Sequence, residues 1–328
     1  MYTHASGIIL AGVHQWRASA FERWVPRTLV PIANRPLVAY PLSWLRDGGA
    51  DGVRICANSD TQSLRSCLGA GADHGVDIEY YEDHMPRGPA GCVADATREI
   101  AGDHFLVVEG CVIPQSIDID HLMRTHADSG AVLTVAAIGG NDASRLAPAG
   151  VYVFSRKALE HVGESGYEDI KEMLIPRLHA RGLSVQRYVL NEAPLRVTGA
   201  NSCFLASRLI LRQLFESDHV PAGYSLRNGA IVHESAIVSD DARIEGPSLI
   251  GPGARIEARA TIVGPTTIGA DCVVESDAII CRSILWDEVA IGAAAFIDRC
   301  ILTHRSQVAP GQWSTGRIHH GLQCANRA

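Results

Sequence analysis

The chain has 328 residues, enough for two domains, and its 47% hydrophobic and 20% charged content calls for a packed globular protein rather than a disordered one. A formal net charge of −7 argues against a general nucleic-acid binder, though a local basic pocket for phosphates fits the same balance. No apolar run approaches the roughly 20 residues of a membrane span, and no basic-then-apolar leader opens the sequence, so a cytoplasmic protein without membrane attachment is expected.

Along the chain, residues 7–11 read as a buried strand and 37–47 as an amphipathic helix. Residues 53–57, 78–81, 105–108 and 132–138 read as further strands, with helices expected over 89–100 and 119–128. Alternating strand and helix predicts a largely parallel sheet covered on both faces. Ligands of such sheets sit beyond the carboxyl ends of the strands, and the loop at 12–31 lies in that place.

The period changes near residue 225. Ile244, Ile250, Ile256, Ile262, Ile268, Val274 and Ile280 are six residues apart. Ile231 and Ile237 precede them at the same spacing after a one-residue slip, and Leu285, Ile291 and Ile297 follow a second slip. Small residues recur four positions after the aliphatics, at Ser248, Ala254, Ala260, Thr266, Cys272 and Ala278. This spacing predicts a left-handed parallel β-helix with the aliphatics stacked inside and the small residues at tight turns, where Gly251, Gly253, Gly264, Gly269 and Gly292 suit the corners. The division falls at 1–225 and 226–328. The open ends of a β-helix favour pairing, so an oligomer is expected, with Trp286 and Trp313 as interface residues if exposed.

Nine cysteines lie at 56, 67, 92, 111, 203, 272, 281, 300 and 324, with no C-x-x-C pair, so buried free thiols are expected rather than zinc ligands or disulfides.

Residues 8–37 carry Leu10-Ala11-Gly12, then Arg17, then Pro26-Arg27, then Leu29-Val30-Pro31-Ile32-Ala33-Asn34-Arg35-Pro36-Leu37. Without a gap, this resembles the L-A-G-G-x-G-T-R, P-K-P-L-L-P and N-K-P-L segments of sugar-phosphate nucleotidyltransferases, which make NDP-sugars from an NTP and a sugar 1-phosphate. Met85-Pro86-Arg87-Gly88-Pro89-Ala90-Gly91-Cys92 resembles the family turn that approaches the nucleobase. Segments 150–155 and 167–176 resemble the sugar-binding half, so the similarity spans roughly residues 7–210.

The resemblance implies an α/β fold, with a Rossmann-like nucleotidyltransferase domain ahead of the β-helix. It assigns Arg17 and Arg27 to catalysis, and Leu10, Ala11, Gly12, Trp16, Gly88, Ala90 and Gly91 to the nucleotide. It sets Gly150, Glu168 and Asp169 at the sugar, although Glu168 and Asp169 read equally as first-turn acids of a helix running to Leu174.

The sequence departs from the family pattern at several points. Val13, Gln15 and Trp16 replace Gly, Gly and Thr in the phosphate loop, adding side chains where backbone amides would approach phosphates. Glu109-Gly110-Cys111 stands where the family has N-G-D, and Val197 stands at its second metal aspartate. Thiols suit Mg²⁺ poorly, so no metal site and no cofactor are expected, with Mg²⁺ possible only in a rebuilt site.

Three readings stay open. One is a weak or inactive homologue that binds a nucleotide or NDP-sugar, as a homo-oligomer or paired with an active paralogue, in nucleotide-sugar or polysaccharide synthesis. Another is an active pyrophosphorylase using Arg17, Arg27 and Glu109 with a displaced metal. The third is an acyltransferase working through the β-helix, for which His233, His304, His319 and His320 are the available bases. The 150–176 stretch leans towards GDP-mannose-like ligands.

Overall fold

The computed structural model describes residues 5–12, 25–50, 52–58, 61–139, 147–217 and 220–321. Trp16 and Arg17 lie outside the described residues, as does most of the loop that carries them. The chain divides into two compact units, one from residues 1–17, 25–30 and 36–197, the other from 18–24, 31–35 and 198–328.

The first unit is built on a seven-stranded sheet. Its spatial order is Val185–Leu190, Leu133–Ile138, Ala147–Ser155, His104–Glu109, Ser6–Leu10, Gly52–Ala57 and Asp77–Glu82. All pairings are parallel except those of Ala147–Ser155, which runs antiparallel to both neighbours. Helices on both faces leave the central strands fully buried, which is why they read as unbroken apolar runs such as Phe105-Leu106-Val107-Val108. Such a run carries no signal of strand direction, and the reversed Ala147–Ser155 strand is accordingly absent from the sequence reading.

Two expected helices have identifiable ends, and the first is shorter than expected. Residues 89–100 form a helix only over Gly88–Ala96; beyond Thr97 the Arg98 and Ile100 N–H groups donate only three residues back, to Asp95 and Thr97. The Ile119–Ser129 helix starts on Asp118, whose carboxylate accepts from the His121 N–H at 2.9 Å, and ends at left-handed Gly130.

The second unit contains the helix Ala200–Glu216 and a stack of coils whose strands form three sheets, parallel except where Tyr224–Arg227 pairs antiparallel with Ala230–His233. Successive coils align Ile244 with Ile262 and Ile262 with Ile280, eighteen residues apart, and then Ile280 with Ile297, seventeen apart. The lost residue is at one corner, where Gly264-Pro265 of one coil is replaced by Arg282 alone in the next. The slip after Ile280 is thus a corner deletion that leaves every inward position in register.

The earlier slip does not exist. Val232 pairs with Ile250 and Val238 with Ile256, so these two valines, not Ile231 and Ile237, continue the inward series. Ile237 is 63% exposed. The small residues Ala254, Ala260, Cys272 and Ala278 are fully buried beside the aliphatics. Trp286 is buried and so does not meet the condition set for an interface residue, whereas Trp313 is exposed and its ring lies 4.9 Å from that of Phe296.

Candidate active site

The strands Ser6–Leu10 and His104–Glu109 are neighbours in register, so Leu10 lies beside Glu109. Past these ends the chain is held tightly. The Gly110 N–H donates to the Leu10 carbonyl at 2.9 Å, and the Ala11 N–H to that of Cys56 at 2.7 Å. Gly12 accepts from the Asn58 side-chain amide at 2.9 Å, and a Cβ there would lie 2.5 Å from the Asn58 backbone nitrogen. A glycine is therefore required at 12 for close backbone approach.

Glu109 is buried at the end of its strand. A short antiparallel ladder pairs Leu195–Arg196 with Val112–Ile113 and brings Arg196 across 87 residues of sequence, so that its guanidinium donates to the Glu109 carboxylate. The Tyr152 hydroxyl donates to the same carboxylate at 3.3 Å, and Arg196 also reaches the Cys111 sulfur at 3.6 Å. Gly150 makes room for this group. It sits at φ +81°, and a Cβ would meet the Arg196 guanidinium at 2.6 Å and the Glu109 carboxyl carbon at 3.1 Å. Arg27, in the turn Arg27–Leu29, is close enough for its charge to act on the Cys111 thiol.

The titrations follow from this packing. Burial, reinforced by the Glu109 charge, pushes the Cys111 thiol and the Tyr152 phenol up, so both stay protonated at neutral pH. Burial works against the Arg196 charge, but Glu109 beside it more than offsets this and the guanidinium is held more firmly protonated.

As a cation site the donor set fits poorly. Cys111 is a neutral thiol, Val197 is apolar and fully buried, and Glu109 already faces a guanidinium that repels a divalent ion. Among the described residues no cluster of three acidic, histidine or cysteine side chains is arranged to hold a metal.

A second group of predicted residues gathers where the helix Gly88–Ala96 begins. The Ala90 N–H donates to the Glu168 carbonyl at 3.0 Å, and the Glu168 N–H to that of Arg87 at 2.6 Å. Gly88, at φ +81°, has no room for a Cβ, which would fall 2.8 Å from the Glu168 carbonyl oxygen, and Gly91 packs on Arg87. The turn is thereby clamped to residues 167–168.

The Glu168 carboxylate is buried and takes both prongs of Arg177, at 2.9 and 3.0 Å. Asp169 accepts from the N–H groups of Lys171 and Glu172, at 2.7 and 2.8 Å, and so caps the helical turn that follows. Both carboxylates thus have protein partners. The charge of Asp169 also acts on Tyr152, which links this group to the strand-end cluster.

Arg196, Tyr152, Asn58 and Arg177 have no place in the sequence reading. Arg196 carried a faint signal, as the cation adjoining Val197; the other three carried none.

Seven mostly parallel strands with a polar cluster at the strand ends, followed by parallel coils, define a two-part α/β and β-helix protein of the nucleotidyltransferase class. The comparisons agree: residues 6–146 match the Nucleotidyl transferase model and residues 244–318 the GMPPB C-terminal domain. Residues 6–146 thus match a nucleotidyl transferase domain, and the proteins to which most of the chain is similar are sugar-1-phosphate nucleotidyltransferases.

It is 26% identical over 334 residues to a glucose-1-phosphate thymidylyltransferase of Streptomyces griseus, covering 92% of each chain. It is 24% identical to a mannose-1-phosphate guanylyltransferase of Mycobacterium tuberculosis, over 78% of each. A UTP–glucose-1-phosphate uridylyltransferase of Synechocystis is 22% identical over 90% of this chain and 86% of its own. No helix among the described residues is long and apolar enough to cross a membrane.

Proposed function

We propose that this chain is a sugar-phosphate nucleotidyltransferase homologue that binds a nucleotide or NDP-sugar and has weak or no transfer activity. In this role it regulates or supports nucleotide-sugar supply for polysaccharide synthesis, as a homo-oligomer or paired with an active paralogue. The observation that carries the reading is the Arg196–Glu109 pair, packed with Cys111, at the strand end where the family holds its metal aspartate.

Transfer between two anions needs positive charge that stabilises the transition state more than the ground state. Arg196 is committed to a buried carboxylate and is only 33% exposed, so its charge is largely spent before substrate arrives. On this reading Arg27, Arg17 and the backbone at Leu10, Ala11 and Gly12 bind the phosphates, and the Gly88–Gly91 turn approaches the base.

Calorimetric titration with GTP, dTTP, UTP and GDP-mannose, with and without Mg²⁺, tests this together with a pyrophosphate-release assay. Mg²⁺-independent binding without pyrophosphate release is the expected result, and Mg²⁺-dependent turnover sinks the proposal. A second reading rests on the closeness of Arg27 and Arg196 to Cys111. On it, the two guanidiniums supply the positive charge themselves, and pyrophosphate release persists in a chelator.

A further inference from the structure

In the second unit, a cavity of ≈ 720 Å³ lies between the helix Ala200–Glu216 and one coil face. Strand alternation sets which side chains meet it. Ile250, Ile268 and Leu285 point into the core of the coils, so Leu249, Thr267 and Ile284 point outward. Phe204, Leu211 and Ile284 give the cavity an apolar floor.

Four arginines surround that floor: Arg208 from the helix, and Arg282, Arg299 and Arg317 from the coils. Arg282 and Arg299 occupy the same corner in successive coils and share the buried carboxylate of Asp298. Arg208 and Arg317 form no ion pair among the described residues. The lining thus sets four guanidiniums against one carboxylate.

Two further groups are out of balance. Ser207, 3% exposed, and Thr267, 1% exposed, both line the cavity, and neither hydroxyl has a hydrogen-bond partner. Buried polar atoms are rarely left unpaired, because the lost bonds to water are not replaced.

We propose that this cavity binds an organic phosphate, using none of the residues of the strand-end cluster. The guanidiniums take the phosphate through their planar forks. The carbon body lies on the Phe204–Ile284 floor. The volume falls within the roughly 300–1,000 Å³ of small-ligand pockets and suits a nucleoside or sugar phosphate.

The test is calorimetric titration of the full chain with GMP, mannose 1-phosphate and inorganic phosphate. One of the two organic phosphates is expected to bind clearly more tightly than inorganic phosphate, and which one does so identifies the carbon body. The Arg208→Ala/Arg317→Ala double variant should weaken that event at least tenfold with an unchanged thermal midpoint. Arg27→Ala, in the other unit, should leave it in place. Three results would each overturn the proposal: no binding of either organic phosphate, equal binding of inorganic phosphate, or unchanged affinity in the double variant.

Discussion

Replacing Arg196 by Met leaves the Glu109 carboxylate buried beside the neutral donors Tyr152 and Cys111. Removing one partner of a fully buried ion pair costs about 3–5 kcal/mol, and of an exposed pair about 1 or less. The Glu109 side chain is 8% exposed and that of Arg196 33%. The pair therefore stands nearer the buried limit, and Arg196→Met should cost about 2–3 kcal/mol. Glu109→Gln should cost less, about 1–2 kcal/mol, because the remaining guanidinium can turn towards water.

The double variant removes both charges, so its cost should fall short of the sum by at least about 1 kcal/mol. For a unit of this size each kcal/mol moves the midpoint by about 2–4 °C, so Arg196→Met should melt roughly 5–10 °C lower by scanning calorimetry. Additive costs, within about 0.5 kcal/mol, would refute the claim that the two groups form one buried unit. So would an Arg196→Met midpoint within about 1 °C of wild type.

Gly12→Ala should destabilise the first unit by about 1–3 kcal/mol, since its Cβ would strike the Asn58 backbone 2.5 Å away; an unchanged urea midpoint would contradict this. His126 is buried between Thr134 and His104, and burial, aided by the His104 charge, lowers its pKa from 6.5 to about 4. The unfolded chain takes up this proton at higher pH than the native one, so the stability is complete above about pH 6.5 and is lost as the pH falls towards 4. The loss amounts to about 3 kcal/mol. Urea midpoints at pH 7 and 4.5 should converge in His126→Asn and separate in the wild type; equal slopes in both would count against the assignment. Burial pushes the Cys203 and Cys272 thiols up to about 12, so among the described cysteines exposed Cys67 should react first with a disulfide reagent. Early labelling of Cys272 in the native protein would contradict the packing of the coils.

The coils were legible because each inward position makes the same local demand. An aliphatic every sixth residue stacks on the one a coil below, and the period survives as a pattern in the chain itself. What misled was the choice between adjacent aliphatics, Ile231 or Val232 and Ile237 or Val238, which only inter-coil register separates. Five parallel strands of the first unit were legible as apolar runs, and the first loop as a motif; the parallel edge strand Val185–Leu190 was not. The reversed strand Ala147–Ser155 was not, since burial on both faces erases any sign of direction.

The site divides the same way. The positions of Gly12, Arg27, Gly88 and Gly150 followed from motif spacing. Their partners did not. Arg196 meets Glu109 only because two short strands pair across 87 residues, and Arg177 reaches Glu168 nine residues away along the helical stretch that Asp169 caps. Sequence period and composition determined what kinds of layers this chain builds, because those depend on local burial. Which charges neutralise one another at the strand ends, and which cations and hydroxyls along the coils stay unmatched, was decided by tertiary packing, because electrostatic pairing depends on distance in space and leaves no period in the chain.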